Sequence, residues 1–196
     1  DHRLPYDANA SLPTQVEQSF AQSLLHLHTD YLDSYILHGP LHQSGFGPED
    51  QSVWKAMETL KQSRKTRFLG VSNVSPEQLK ILLKTASIPP DFVQNRCYAT
   101  TGWDHEVRAL CRQANIRYQG FSLLTANRQI LSHPDFLTLT INAGCTGAQL
   151  IFAFAKHLHM LPLIGSTQIK HLQEDQAAMG ISLPPEHVTR LGRIAL

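Results

Sequence analysis

Residues 29–40 read TDYLDSYILHGP. Within them Tyr31–Leu37 is a short, aromatic-rich apolar run with the length and composition of a strand, and its weak alternation predicts burial on both faces. Gly39 and Pro40 end the run and leave His38 at the carboxyl end of the strand. Upstream, residues 12–28 (LPTQVEQSFAQSLLHLH) place Leu12, Val16, Phe20, Leu24, Leu25 and Leu27 on one broad helical stripe, with Pro13 in the first turn. Downstream, GPLHQSGFGP reads as a loop and Glu49–Ser63 as a helix. The stretch is therefore a strand set between two helices.

The pattern repeats along the chain. Thr66–Ser72 is strand-like, and Ser75–Lys84 is a helix opened by Ser75 and Pro76. IPPDFVQ contains a short strand, Trp103–Ala114 is a helix, Arg117–Ser122 is a strand, and an irregular segment is expected to about residue 144. Cys145–Leu158 is an apolar helix suited to a core, Met160–Ile164 is a strand, and helices are expected at 168–178 and 184–194. Strands near 33–38, 66–71, 92–95, 117–121 and 161–164, alternating with helices, predict a parallel α/β fold. Both a doubly wound sheet and a (β/α)-barrel satisfy this alternation. A GxGxxG turn after the first strand is missing, which disfavours the doubly wound dinucleotide fold.

Composition narrows the function classes. The chain has 196 residues, with 17 Lys and Arg against 16 Asp and Glu, for a formal net charge of +1. That balance, with no basic run, excludes phosphate-backbone recognition as the main task, so no nucleic-acid partner is expected. No stretch has the length and apolarity of a membrane span, and DHRLPYDANA has no apolar signal core. Cys97, Cys111 and Cys145 are odd in number and form no CxxC, so a disulfide framework or zinc site is not expected and a reducing cytoplasm is. His26 with His28, and His157 with His159, are spaced i,i+2 and point apart on a helix, which argues against a shared metal.

In a parallel α/β protein, ligands gather at the carboxyl ends of the strands. The first strand ends at His38, the second at Ser72 and Asn73, the third at Gln94 and Asn95, the fourth at Phe121 and Ser122, and the fifth at Gly165, Ser166 and Thr167. Neutral amides and hydroxyls can pair with the donors and acceptor of a carboxamide, and an aromatic face can stack on a flat ring. A Gly-Ser-Thr turn opening a helix offers backbone N–H groups and a positive dipole end to a phosphate. Each residue also has a structural reading: Ser72 and Asn73 could cap the helix near Ser75, Phe121 could be core, and the Gly165–Thr167 turn could simply start a helix. No pair of carboxylates stands at the strand ends, which argues against glycoside hydrolysis, and no GxSxG elbow is present.

In order along the chain, TDYLDSYILHGP, LGVSNVSPEQLKILL and LIGSTQIKHLQED resemble three segments of the aldo-keto reductases, carbonyl-reducing enzymes on a (β/α)8 TIM barrel. The resemblance runs from about residue 12 to the end and implies a single partial barrel domain over residues 1–196, with about five of eight parallel βα units. By position, His38 resembles the family's active-site histidine, which orients the substrate carbonyl. Ser72, Asn73 and Gln94 resemble the residues that hold the nicotinamide carboxamide. Phe121 stands where the family usually stacks a Tyr on the nicotinamide. Ser122 and Leu124 resemble positions that line the pyrophosphate. Gly165, Ser166, Thr167, His171, Glu174 and Asp175 fall in the segment that clasps the adenosine phosphate. The implied cofactor is NADP(H) and the implied partner a small-molecule carbonyl substrate.

Departures from the family pattern carry expectations of their own. Gly165 and His171 stand where the family often has Lys and Arg for the 2′-phosphate, which keeps NAD(H) open as an alternative. Gly39 replaces a common Trp and widens the expected substrate wall, and Asp175 replaces a common Asn. The family's catalytic Asp, Tyr and Lys lie on elements before the segment that matches residue 1. The opening Asp1 and the length therefore suggest a partial sequence, not expected to be active alone, with a catalytically inactive cofactor-binding or regulatory protein as the alternative.

Overall fold

The computed structural model describes residues 4–194; Asp1, whose place at the start suggested a partial sequence, lies outside the described residues. Among the described residues five strands, β1 (Leu32–Leu37), β2 (Thr66–Ser72), β3 (Phe92–Arg96), β4 (Arg117–Phe121) and β5 (Leu161–Pro162), form one sheet in the order β1-β2-β3-β4-β5. β1 pairs parallel with β2, Leu32 opposite Thr66 and Leu37 opposite Val71. β4 pairs parallel with β5 through Gln119 opposite Leu161 and Gly120 opposite Pro162. The helices are α1 (Leu12–Leu27), α2 (Pro48–Gln62), α3 (Pro76–Thr85), α4 (His105–Gln113), α5 (Arg128–Leu131), α6 (Pro134–Ala143), α7 (Gly147–His157), α8 (Ile169–Ala177) and α9 (Pro185–Arg193). No single helix among the described residues is long and apolar enough to cross a membrane.

The chain divides into two compact units, residues 1–93 with 114–116, and residues 94–113 with 117–196. In the first, α1 lays Val16 and Phe20 on the sheet, and the Phe20 and Tyr35 rings meet edge to face at 5.1 Å. α2 buries Trp54, Met57 and Leu60, and the Trp54 indole N–H donates to the Ile88 carbonyl at 3.0 Å. α3 buries Leu79 and Leu82 behind a capping box: the Ser75 hydroxyl accepts from the Gln78 N–H, and the Gln78 side chain accepts from the Ser75 N–H. β2 passes close to its neighbours at Gly70, where a Cβ would lie 3.0 Å from the Phe92 carbonyl oxygen and 2.3 Å from the end of Ile36.

In the second unit α7 supplies the core, burying every side chain from Leu150 to Ala155. Its start is a second capping box between Thr146 and Gln149. Trp103 meets Phe154 at 5.2 Å, and Phe136 and Leu139 of α6 close one side.

Four local expectations are corrected. β1 is not buried on both faces: Leu32 is buried, but Asp33 and Ser34 are exposed, as an end strand in the sheet order allows. The segment before residue 144 is not irregular: α6 forms because Pro134 suits a first turn and the His133 ring accepts the Asp135 N–H, while Phe136 and Leu139 bury. α4 starts at His105 because Trp103 and Asp104 both adopt left-handed backbone, φ 59 and 55. β5 stops at Pro162, although the Leu163 N–H still donates to the Gly120 carbonyl at 2.9 Å.

Candidate functional site

In the first unit the sequence-predicted residues His38, Ser72 and Asn73 stand at the carboxyl ends of the paired strands β1 and β2. The Asn73 amide donates to the His38 carbonyl at 2.8 Å, tying the two strand ends together. Asn73 sits at φ 54, a left-handed conformation that Asn tolerates better than most residues. The helix-cap reading of Ser72 and Asn73 is superseded, because Ser75 performs that task. Ser72 is buried, whereas the His38 side chain is exposed. It opens on a pocket of about 310 Å³ whose walls include Gly39, His42, Gln43 and Asn73.

The loop that carries His38 is held from below. Asp50, buried in the first turn of α2, accepts from the Leu41 N–H at 2.7 Å and from the Gly47 N–H at 2.9 Å. The α2 N-terminus stabilises that carboxylate in its buried place. Gln78, besides completing its capping box, donates to the His42 carbonyl at 2.9 Å. Gly39 leaves its side of the pocket open; a Cβ there would rest at ordinary contact distance, 3.6 Å from the Ser72 carbonyl oxygen and 3.7 Å from the Asn73 Cβ.

In the second unit Gln94 lies inside β3 instead of at its end, because the strand runs on to Arg96. Its amide donates to the Gln119 side-chain carbonyl of β4 at 3.1 Å. One step further along the same face, the Arg96 guanidinium stands over the Phe121 ring, 5.7 Å from its centroid. Asn95, expected beside Gln94 at a strand end, points the other way and donates to the Asp104 carboxylate at 2.9 Å. Phe121 is half-buried, and Ser122 follows at φ 56. Ser122 and Leu124 begin the turn that Asn127 braces, its amide donating to the Cys97 and Leu123 carbonyls and its carbonyl accepting the Ala99 N–H.

The segment from Gly165 to Asp175 forms its own cluster around the start of α8. Gly165 has open space where a Cβ would be. The Ser166 hydroxyl accepts from the Gln168 N–H at 3.0 Å and lies 3.5 Å from His171 Nδ1. Thr167 and His171 are exposed. Glu174 is half-buried, 3.8 Å from Lys170, and Asp175 turns inward and is buried. Burial pushes the Asp175 carboxyl above its ordinary pKa, with His171 opposing and Glu174 adding. Sequence reading missed Arg96 and Gln119. The period-two alternation of Gln94 with Arg96, and of Gln119 with Phe121, was the signal that could have exposed them.

In the first unit Asn73 carries a carboxamide next to the strand end at His38; in the second, a carboxamide at 94, an aromatic ring at 121 and an open glycine followed by hydroxyls before α8 are groups of the kinds that can pair with an amide, a flat ring and a phosphate. The chain matches the model of the Aldo/keto reductase family over residues 6–128. It is 28% identical over 93% of its length to Aldo-keto reductase family 4 member C11 of Arabidopsis thaliana, covering 62% of that protein. It is also 28% identical to the NADPH-dependent alpha-keto amide reductase of Saccharomyces cerevisiae, over 86% of this chain and 57% of that one. Its fold superposes on MGS-M4, an aldo-keto reductase enzyme from a Medee basin deep-sea metagenome library, with a TM-score of 0.84 at 21% identity, over 92% of this chain and 65% of that one. The chain thus spans less than two thirds of these proteins, and five parallel strands on a TIM-barrel pattern are the incomplete barrel expected. With more than half its length matched by the family model, the chain belongs to the aldo/keto reductase family.

Proposed function

We propose that the protein binds NADPH and takes part in the reduction of small-molecule aldehyde or ketone carbonyls. The observation that carries this reading is the hydrogen bond from the Asn73 amide to the His38 main-chain carbonyl, which ties a carboxamide for the cofactor to the strand end that bears the histidine for the substrate. The bound nicotinamide would supply the hydride. The exposed His38 imidazole, beside an open pocket, donates to the carbonyl oxygen and orients it. Ser72, Asn73 and Gln94 hold the nicotinamide carboxamide, and Phe121 stacks on the ring. Ser122 and Leu124 flank the pyrophosphate. Gly165, Ser166, Thr167, His171, Glu174 and Asp175 enclose the adenosine phosphate.

Lys170 in the first turn of α8 offers a cation to a 2′-phosphate, in keeping with the yeast relative's NADPH dependence; Gly165 and His171 keep NAD(H) as the alternative. Three free thiols, Cys97, Cys111 and Cys145, suit a reducing cytoplasm. Titrating the chain with NADPH while following Trp54 and Trp103 fluorescence tests the reading, and a flat response at millimolar cofactor overturns it. Phe121→Ala should weaken binding by about 1 kcal/mol if the ring stacks as proposed. Binding without turnover in a carbonyl assay would instead favour a catalytically inactive cofactor-binding protein.

A further inference from the structure

The face of β3 and β4 that carries Gln94 and Phe121 is electrostatically one-sided. Phe92, Gln94 and Arg96 alternate onto it from β3, and Arg117, Gln119 and Phe121 from β4, so it holds two cations and no carboxylate. The carboxylate of Asp104 is engaged on the opposite face, accepting from Asn95 at 2.9 Å and from the Tyr118 hydroxyl at 2.7 Å. The Arg96 guanidinium is held 5.7 Å from the centroid of the Phe121 ring.

We infer that Arg96 selects between the redox forms of the cofactor, favouring the reduced, uncharged nicotinamide over the oxidised, cationic one. The inference rests on the reading that Phe121 stacks on the nicotinamide. The two forms differ only in that ring, in its charge and its aromaticity, so the change that loss of the guanidinium makes in their affinity ratio reports the ring's charge. A stacked ring lies roughly 4.5–7 Å from its partner's centroid, which, added to the 5.7 Å from Arg96 to Phe121, puts the two positive charges about 10–13 Å apart when Phe121 lies between them. Over that range their repulsion amounts to about two-fold in affinity under full water screening and roughly nine- to fifteen-fold at an effective dielectric of about 20. The guanidinium therefore weakens NADP⁺ binding and leaves NADPH binding unopposed, which assists product exchange in the direction of carbonyl reduction.

The test is a pair of calorimetric titrations, NADPH and NADP⁺, on the wild type, Arg96→Met and Arg96→Lys. The expected result is a preference of the wild type for NADPH that Arg96→Met lowers by two-fold or more. Arg96→Lys should keep most of that preference, and added salt should erode it in the wild type. A purely structural cation–π contact would shift the melting temperature and both affinities together, leaving their ratio unchanged; that outcome overturns the inference while sparing the proposed function. Failure of the folded wild-type chain to bind either form overturns both.

Discussion

Asp175 shows how one side chain can work against its surroundings. Its carboxyl is buried at the inner side of α8, and burial raises its pKa. A carboxyl with a higher pKa folded than unfolded favours the fold only in its protonated form, below the unfolded value of about 3.9, and loses that favour as the pH rises through the folded value. At neutral pH the charge therefore costs stability. Asp175→Asn should melt at a higher temperature than the wild type at pH 7, and the gap should close as the pH falls toward 4; thermal melts across that range measure it. Asn73 and Ser122 are a different case. Both take left-handed backbone directly after a strand, and for Ser this costs about 1 kcal/mol or more that other packing must offset. Such residues mark places where the chain must turn sharply to present a strand end.

At the scale of elements, the first helical turns carry much of the order. Asp50 serves two backbone N–H groups of the loop behind His38. Asp50→Ala leaves both without their acceptor, so it should cost about 2–4 kcal/mol and raise hydrogen exchange at Leu41 and Gly47, read by denaturant melts and amide exchange. Gly70→Ala pushes a methyl against the Phe92 carbonyl and Ile36, a clash worth about 1–3 kcal/mol in a packed site, and the chemical denaturation midpoint is the measure. Much of this order was legible beforehand. Ser75 before Pro76, and Thr146 three residues before Gln149, are start signals that need no tertiary context. His38 and Ser72 are legible at strand ends because breakers and start signals follow them, Gly39 and Pro40 after the first and Ser75 and Pro76 after the second. Alternation puts Arg96 on the face of Gln94 and Gln119 on the face of Phe121, but that Arg96 meets Phe121 and Gln94 meets Gln119 depends on cross-strand register, which no local pattern specifies. α6 was hidden because its Thr-rich interior resembles a loop until Phe136 and Leu139 find a core.

At the scale of the whole molecule, buried thiols set an alkaline limit. Burial, with the Asp104 charge adding to it, pushes Cys97 up to about 12, and the same causes push Cys111 up to about 12. Unfolded thiols ionise near about 8.5, so stability is full below that pH and falls as the pH rises from it toward 12. Melting temperature should decline across this window, and a Cys97→Ala, Cys111→Ala double variant should decline less once its lower starting stability is subtracted. In the native protein at pH 8, a thiol reagent should reach the half-buried Cys145 well before the two buried thiols. The last strand adds a consequence for how these molecules behave in a crowd. Because the Leu163 N–H points to β4, alternation turns the nitrogen of Pro162 outward, where it has no hydrogen to offer. Any extended segment that meets β5 on that side, from this protein or from another copy, finds a strand of two residues with one N–H missing, so strand addition there lacks a rung.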